Sequence, residues 1–190
     1  MIVEGLVTSI GLDGRLNVAP MGPIVEGDFE RLVLRPFQPS TTFSNLSSQR
    51  CGVFHVTDDV DVISRAITGT LTELPATESA RVVSGRVLVD CCRWYEFEVE
   101  EVEASDARSR MPSRVLHRGE RRAFLGFNRA RHAVLEAAIL ATRLHLLPAE
   151  EIDQALQFLA PAVQKTGGPV ERVAWERILE FIQRRRGLLS

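Results

Sequence analysis

The feature that most constrains the fold is a change in the character of the sequence near Gly126. Residues 1–126 contain most of the glycines, prolines and β-branched residues, whereas residues 127–187 repeat apolar residues at helical spacing almost throughout. Strands therefore come first and helices follow. We predict an α+β protein with a strand-rich domain over residues 1–126 and a helical subdomain over residues 127–190.

The strand-rich part reads as a series of antiparallel strands joined by tight turns. Leu12-Asp13-Gly14 and Glu26-Gly27-Asp28 are turn signals, and residues 87–102 form the longest predicted strand. Such a series predicts a closed or split β-barrel. Alternation along residues 87–102 predicts one buried and one solvent-facing side, with one cysteine in the core and one at the surface. The two sides are Cys91, Tyr95, Phe97 and Val99 against Cys92, Trp94, Glu96, Glu98 and Glu100.

Composition excludes several classes of protein. The chain is 45% hydrophobic and 25% charged, as in an ordinary globular protein, and its net charge of −2 gives no global attraction to nucleic acid or anionic membranes. It shows no signal peptide and no apolar run long enough to span a membrane. Three cysteines without a CxxC pair and four scattered histidines predict no metal site and a reducing, cytoplasmic setting.

Catalytic motifs give no assignment. The sequence has no GxSxG elbow, HExxH pair or GxxxxGK[ST] loop, so no catalytic residue is predicted. The segment Lys165-Thr166-Gly167-Gly168 superficially resembles a phosphate-binding loop. It stands at the end of a predicted helix, where the dipole repels anions, and we interpret it as a helix stop.

The most informative stretch lies between residues 16 and 57. Residues 17–22 combine small side chains with Pro20, so a flat ligand can approach a backbone whose polar groups are partly unpaired. Downstream, Arg35 precedes hydroxyl residues at the start of a short predicted helix, a combination that suits an anion. Together they indicate a phosphorylated planar cofactor. An edge strand followed by an ordinary capped turn explains the same residues equally well.

Weak motifs in a specific order carry a resemblance over most of the chain. They are Asn17-x-Ala19-Pro20-Met21-Gly22, Thr42-x-x-Asn45-Leu46, Val56-Thr57-Asp58-Asp59, Asn128-Arg129 and Lys165-x-Gly167-Gly168. In this order the chain resembles the FMN-binding split-barrel superfamily of flavin reductases, and within it domain-of-unknown-function family 447. The resemblance implies an FMN-binding split β-barrel with a C-terminal helical subdomain.

The resemblance also implies a site and a partner. In split barrels the flavin ring follows the second strand, the phosphate lies near the third strand and the following loop, and a second subunit completes the site. This chain would therefore act as a homodimer. It departs from related chains at residues 39–41, which are less basic, and at His55, where Asn is common. The implied FMN-binding residues are Asn17, Val18, Ala19, Pro20, Met21 and Gly22 for the ring, Arg35, Ser40, Thr41 and Thr42 for the phosphate, and Asn45 beside them.

A second feature is a run of arginines, which we call the arginine cluster, with Glu120 as its one acid. It fits either a solvated strand pair and helix start or a patch for a second anionic ligand, such as a nicotinamide dinucleotide, a deazaflavin or a folate-like carrier. Nucleic acid is disfavoured because no aromatic residues are interleaved for stacking. The cluster consists of Arg108, Arg110, Arg114, Arg118, Arg121, Arg122, Arg129 and Arg131.

These observations lead to three hypotheses. The first is an FMN-dependent oxidoreductase of the flavin reductase type, whose electron donor and acceptor the sequence does not specify. The second is a non-catalytic FMN carrier or sensor, or an accessory protein of one-carbon metabolism. The third, disfavoured, is an arginine-rich nucleic-acid-binding module.

Overall fold

Strands dominate the first two thirds of the chain and helices the last third. The computed structural model describes residues 1–187, so the last three residues of the predicted 127–190 subdomain lie outside it. The strands are β1 (Gly5–Ile10), β2 (Leu16–Met21), β3 (Ile24–Glu26), β4 (Arg31–Leu34), β5 (Cys51–Val56), β6 (Thr77–Ser79), β7 (Arg86–Leu88), β8 (Arg93–Val99) and β9 (Met111–Glu120). The helices are α1 (Thr41–Gln49), α2 (Val60–Thr68), α3 (Arg129–Ala141), α4 (Ala149–Thr166) and α5 (Pro169–Gly187).

The chain forms two units that are not continuous in sequence. The first unit holds Met1–Thr57 and Leu74–Phe124, and the second holds Asp58–Glu73 and the chain from Leu125 onward. The second unit therefore takes α2 from an interval that we assigned to the strand-rich domain. The sequence pattern does not indicate that α2 belongs to the second unit, because α2 is a single short helix between strands.

The first unit is built on one curled antiparallel sheet. Its seven strands run in the order β2-β1-β5-β8-β9-β4-β3, which leaves β2 at one edge. The apolar side chains on the inner face of this sheet form the core, and strands β4, β5 and β8 supply much of it. Its fully buried members include Val7, Leu32, Leu34, Phe54 and Phe97.

A two-stranded hairpin of β6 and β7 contacts the outer face of the same sheet. His55 accepts a hydrogen bond from the Leu88 N–H at 3.1 Å, and the Thr8 hydroxyl donates to the Arg86 carbonyl. The Glu96 carboxylate accepts hydrogen bonds from the backbone N–H groups of residues 81, 82 and 83 and from the Trp94 indole. Buried polar side chains therefore hold the hairpin in place.

This hairpin corrects the expectation for residues 87–102. They form two strands, because residues 89–92 leave the ladder, and Trp94 and Glu96 are buried where we expected solvent. Both Cys91 and Cys92 are buried, so the expectation of one surface thiol was wrong. Burial raises the pKa of the Cys91 thiol to about 11, which keeps it protonated and unreactive near neutral pH.

Helix α1 follows the predicted pattern closely. Ser40 is its N-cap, with its hydroxyl accepting the Phe43 N–H at 3.1 Å. Arg50 is the C-cap of this helix. It adopts a left-handed conformation with φ of 57°, and its backbone N–H donates a hydrogen bond to the Leu46 carbonyl. The short helix packs against β1 and β2, which brings its N-terminus to the edge strand.

The second unit packs its helices through the alanine face of α3. Ala130, Ala133 and Ala137 are fully buried, and α3 contacts α2, α4 and α5. The sequence predicts that these alanines allow close packing, either between helices of the chain or against a second subunit, and the structure shows packing between helices of the chain. Among residues 1–187, no helix is long and apolar enough to cross a membrane.

The sequence predicts Asp58 as the N-cap of a helix over residues 60–67, but the structure gives this role to its neighbour. Asp59, not Asp58, is the N-cap, since its carboxylate accepts the N–H groups of residues 61 and 62. Asp58 instead accepts the Leu125 N–H at 2.8 Å and pairs with Arg131 at 3.2 Å. Its buried carboxylate therefore ties α2 to the segment that leads into α3.

Candidate functional site

Two local rules bring four polar side chains together at the edge of the sheet. Ser9 and Asn17 are directly opposed in the β1–β2 ladder, so their side chains share a face. Thr42 and Asn45 are three residues apart in α1 and share a face of that helix. Since α1 packs on β1 and β2, the two pairs meet. We call Ser9, Asn17, Thr42 and Asn45 the polar cluster.

Hydrogen bonds join all four members of the polar cluster. The Asn17 side-chain amide donates to Thr42 Oγ1 at 3.0 Å and to Ser9 Oγ at 3.4 Å. The Asn45 amide donates to Ser9 Oγ at 3.1 Å. Ser9, Thr42 and Asn45 are buried, and Asn17 is half-buried. The cluster therefore links the edge strand β2 to the N-terminal turn of α1.

The six residues predicted to line the flavin ring divide between two faces of β2. Ala19 lies opposite Val7 of the core and shares its face with Asn17 and Met21. Val18 and Pro20 point to the other face, as the alternation of a strand requires. A ligand on one face of β2 can therefore contact the side chains of residues 17, 19 and 21, or those of residues 18 and 20, but not both sets.

Gly22 lies just beyond the end of β2, where its missing side chain leaves room for an acid. A Cβ at this position would lie 2.6 Å from Glu4 Oε1. This atom is at the far end of a flexible side chain, so a small movement of Glu4 would accommodate a Cβ, and the contact does not by itself require glycine.

The hydroxyl residues predicted at the phosphate differ in what they can still donate. Ser40 donates its only hydroxyl hydrogen to the Phe37 carbonyl at 2.7 Å, so this side chain serves the helix cap. Thr41 is exposed, and Thr42 is buried. The N–H groups of Thr41 and Thr42 belong to the first turn of α1, where no intrahelical acceptor exists. Two backbone amides and two threonine hydroxyls therefore remain for an anion.

Arg35 follows the last residue of β4 and is half-buried. Its Nε atom is shielded from solvent and has no hydrogen-bond partner within the part of the chain that the structure describes. An unpaired buried donor on a permanent cation is unfavourable, by about 1–3 kcal/mol. Arg35 is thus a cationic group that lacks an acceptor. No hydrogen bond among residues 1–187 joins Arg35 to the polar cluster.

The arginine cluster is largely neutralised by acids from elsewhere in the chain. Arg114 pairs with Glu98 at 3.4 Å, Arg122 with Asp90 at 2.8 Å, and Arg131 with Glu171 at 2.9 Å. Arg108 stacks over the Phe37 ring at 4.7 Å. These contacts support the interpretation of a solvated surface over that of an anion patch. The remaining pairs are Arg110–Glu103, Arg118–Asp28 and Arg121–Glu78.

Ser9 is the member of the polar cluster that sequence reasoning missed. It is 1% exposed and receives both amide groups, so it forms the centre of the cluster. A signal existed in the sequence, because a hairpin that turns at residues 12–14 pairs residue 9 with residue 17. The predicted turn therefore implies the register of β1 and β2 that places Ser9 opposite Asn17.

The fold and the position of this site define a class of protein. The described chain is an antiparallel split barrel of the flavin reductase type with a helical C-terminal part, as predicted. The chain belongs to the family described as protein of unknown function DUF447, whose N-terminal domain matches residues 3–122 and whose C-terminal domain matches residues 128–180. The family resemblance expected from the sequence is thereby confirmed.

Solved structures show what this chain is similar to. An FMN-bound DUF447 protein from Methanosarcina mazei is 26% identical, with a TM-score of 0.81, over 95% of this chain and 94% of that one. The 2-nitrobenzoate 2-nitroreductase of Pseudomonas fluorescens is 16% identical, with a TM-score of 0.54, over 62% of this chain and 64% of that one. The styrene monooxygenase flavin reductase of Pseudomonas putida is 12% identical, with a TM-score of 0.53, over 64% and 82%. No match was found among curated proteins.

Proposed function

We propose that this protein binds FMN and works as a flavin-dependent oxidoreductase of the flavin reductase type. The observation that carries the proposal is the similarity to the FMN-bound protein from Methanosarcina mazei, which extends over 95% of this chain, including its helices. The flavin reductase and nitroreductase neighbours share the fold, and they support this class of reaction by fold analogy alone. A nicotinamide dinucleotide or a deazaflavin is the proposed source of electrons.

The residues of the site fit the phosphate of FMN. Within the described residues, Arg35 has a buried Nε–H without an acceptor, and the first turn of α1 has free amides and the hydroxyls of Thr41 and Thr42. A phosphate dianion at the first turn of α1 would satisfy its amides and hydroxyls, and the positive end of the helix would favour its charge. We propose that Arg35 adds its charge to the same phosphate. Because the proposed site offers donors for one phosphate and the sequence has no dinucleotide fingerprint, we propose FMN and not FAD.

The chain's own contribution is binding and orientation. FMN, when bound, would supply hydride transfer. The small residue Ala19 and the backbone of the edge strand β2 would admit a flat ring beside the sheet, while Thr42 would hold the phosphate end. The polar cluster contains amides and hydroxyls but no acid or base, so its role is to position the ligand. A second copy of the chain would cover the ring, and we propose a homodimer.

Reduction of the bound flavin tests the proposed reaction. The purified protein is saturated with FMN under anaerobic conditions, and NADH, NADPH and a reduced deazaflavin are added separately. Bleaching of the flavin absorbance at a rate above that of free FMN with at least one donor is the expected result. Tight FMN binding without faster reduction by any of the three would contradict the oxidoreductase and favour a carrier or sensor.

A further inference from the structure

We infer that Asn17 acts through Thr42 as a positioning residue, directing the Thr42 hydroxyl hydrogen at the flavin phosphate, with Ser9 holding Asn17 in place. This inference rests on the proposed FMN binding. It assigns Asn17 a role different from the ring contact that its place in the sequence predicts, and it gives a role to Ser9, which the sequence did not single out.

The first step concerns the hydrogen of the Thr42 hydroxyl. Thr42 Oγ1 accepts a hydrogen bond from the Asn17 amide at 3.0 Å. A threonine in a helix can donate to the carbonyl three or four residues earlier, yet Thr42 makes no such bond in the described chain. Its hydrogen is therefore free to donate, while the Asn17 amide fixes one lone pair and so limits the rotation of the hydroxyl.

The second step concerns the orientation of Asn17. Its amide group has two hydrogens, and Ser9 Oγ and Thr42 Oγ1 accept one each. Ser9 is buried on the neighbouring strand and also accepts from Asn45, which stands on the same helix face as Thr42. Ser9 thus holds one side chain from the strand and one from the helix. In this arrangement the Asn17 NH2 group, and not its carbonyl oxygen, faces Thr42.

This arrangement orients the Thr42 hydroxyl towards an anionic ligand. Thr42 is in the first turn of α1, beside amides that have no intrahelical acceptor. A hydroxyl whose lone pair is already engaged presents its hydrogen to an acceptor, and phosphate oxygens are strong acceptors. Asn17 therefore increases affinity for the phosphate of FMN without touching it, and it contributes nothing to riboflavin, which lacks the phosphate.

A double-mutant cycle tests this coupling. The dissociation constants of FMN and riboflavin are measured by fluorescence titration for wild type, Asn17→Ala, Thr42→Ala and the double variant. We expect Asn17→Ala to weaken FMN about three- to tenfold and riboflavin by less than about twofold. In the Thr42→Ala background, Asn17→Ala should change FMN affinity by less than about twofold, since its effect passes through the missing hydroxyl.

Further variants separate positioning from general damage. Ser9→Ala should produce the same phosphate-selective loss to a smaller degree. Thr42→Ser, which keeps the hydroxyl, should restore FMN affinity to within about threefold of wild type. Ser48→Ala is the matched control, because the Ser48 hydroxyl donates to the Ser44 carbonyl on the far half of α1. It should leave both affinities unchanged, and thermal unfolding of each apo variant reports on folding.

The outcomes distinguish the inference from the function on which it rests. Additive losses in the cycle, or equal losses for FMN and riboflavin in Asn17→Ala, would overturn the positioning role while FMN binding stands. A wild-type protein that binds neither flavin would overturn both. If Asn17→Ala does not fold, Ser9→Ala in the Thr42→Ala background completes the same cycle from the other side of the Asn17 amide.

Discussion

Thr42 is the residue whose hydroxyl would contact the phosphate in the proposed FMN site. Thr42→Ala should weaken FMN about tenfold to a hundredfold, the range for loss of a charge-assisted hydrogen bond. Thr42→Glu should weaken FMN further, because it places a carboxylate against a phosphate dianion. Riboflavin affinity should change little in either variant. Titration of both flavins checks this, and equal weakening of the two would show that Thr42 is structural.

His55 gives the first unit a pH-dependent stability. Burial lowers the pKa of this histidine to about 4, below the ordinary value of 6.5, and the hydrogen bond to the Leu6 carbonyl only partly opposes this. The folded protein therefore holds His55 neutral where the unfolded chain protonates it. Stability should be full above about pH 6.5 and fall by roughly 3 kcal/mol as the pH decreases to about 4.

Denaturant unfolding at several pH values checks the His55 prediction. His55→Asn should unfold with a lower free energy at pH 7 and should lack this part of the pH dependence. The His55→Asn variant reports the contribution of the carboxyl groups over the same pH range. If wild type and variant lost the same free energy of unfolding between pH 6.5 and 4, the buried neutral histidine would be contradicted.

The β6–β7 hairpin depends on one buried carboxylate. Burial raises the pKa of Glu96, but hydrogen bonds from the Arg81 and Val82 N–H groups and from the Trp94 indole outweigh it, and the net pKa lies below the usual value. Glu96→Gln should destabilise the protein by about 1.5–3 kcal/mol and speed hydrogen exchange of the amides at residues 81–83.

The neighbouring glutamate provides the matched control for Glu96. Glu98 is exposed on the same strand and pairs with Arg114 at the surface. Glu98→Gln should change stability by less than about 1 kcal/mol, since such a pair is screened by solvent. If Glu96→Gln were as mild as Glu98→Gln, the carboxylate would not be what holds the hairpin.

Local sequence signals predicted the elements that local chemistry determines. The short helix after Ser40, the turn at residues 12–14 and the helix stop at residues 167–169 each depend on neighbouring residues, and each lies where it was expected. The N-cap of α2 was misplaced by one residue because two adjacent aspartates are equivalent in sequence.

Contacts between distant residues explain what the sequence could not predict. Glu96 was expected to face solvent, but the hairpin of residues 77–88 covers it. The residues next to Glu96 in sequence give no signal of this contact. Arg121 looked unpaired because its acid, Glu78, is 43 residues away. Asn17 and Thr42 were both predicted to belong to the site. Their hydrogen bond depends on the packing of α1 against β1 and β2, which the sequence does not reveal.

The assembly of the whole molecule is the next prediction. Leu125 is 65% exposed and Phe127 is fully exposed in the segment that leads into α3, an unusual place for large apolar side chains. In the proposed FMN site, a second copy of the chain would cover the face of the ring that β2 leaves open. We therefore expect a stable dimer whose interface buries on the order of 2,000 Å².

Light scattering at low micromolar concentration tests the dimer. Wild type should have the mass of two chains, and Phe127→Ser should weaken the dimer if this segment lies in the interface. Leu12→Ser, at an exposed apolar residue in the turn after β1, is the matched control. A monomer that still binds FMN with wild-type affinity would contradict a site completed by a second copy.

The central claim is that this chain is an FMN protein, and the identity of its bound flavin tests that claim most directly. The purified protein, with and without reconstitution by FMN, is denatured by heat, and the released cofactor is separated by chromatography and quantified against protein. We expect one FMN per chain. FAD in its place, or no retained flavin after reconstitution, would contradict it.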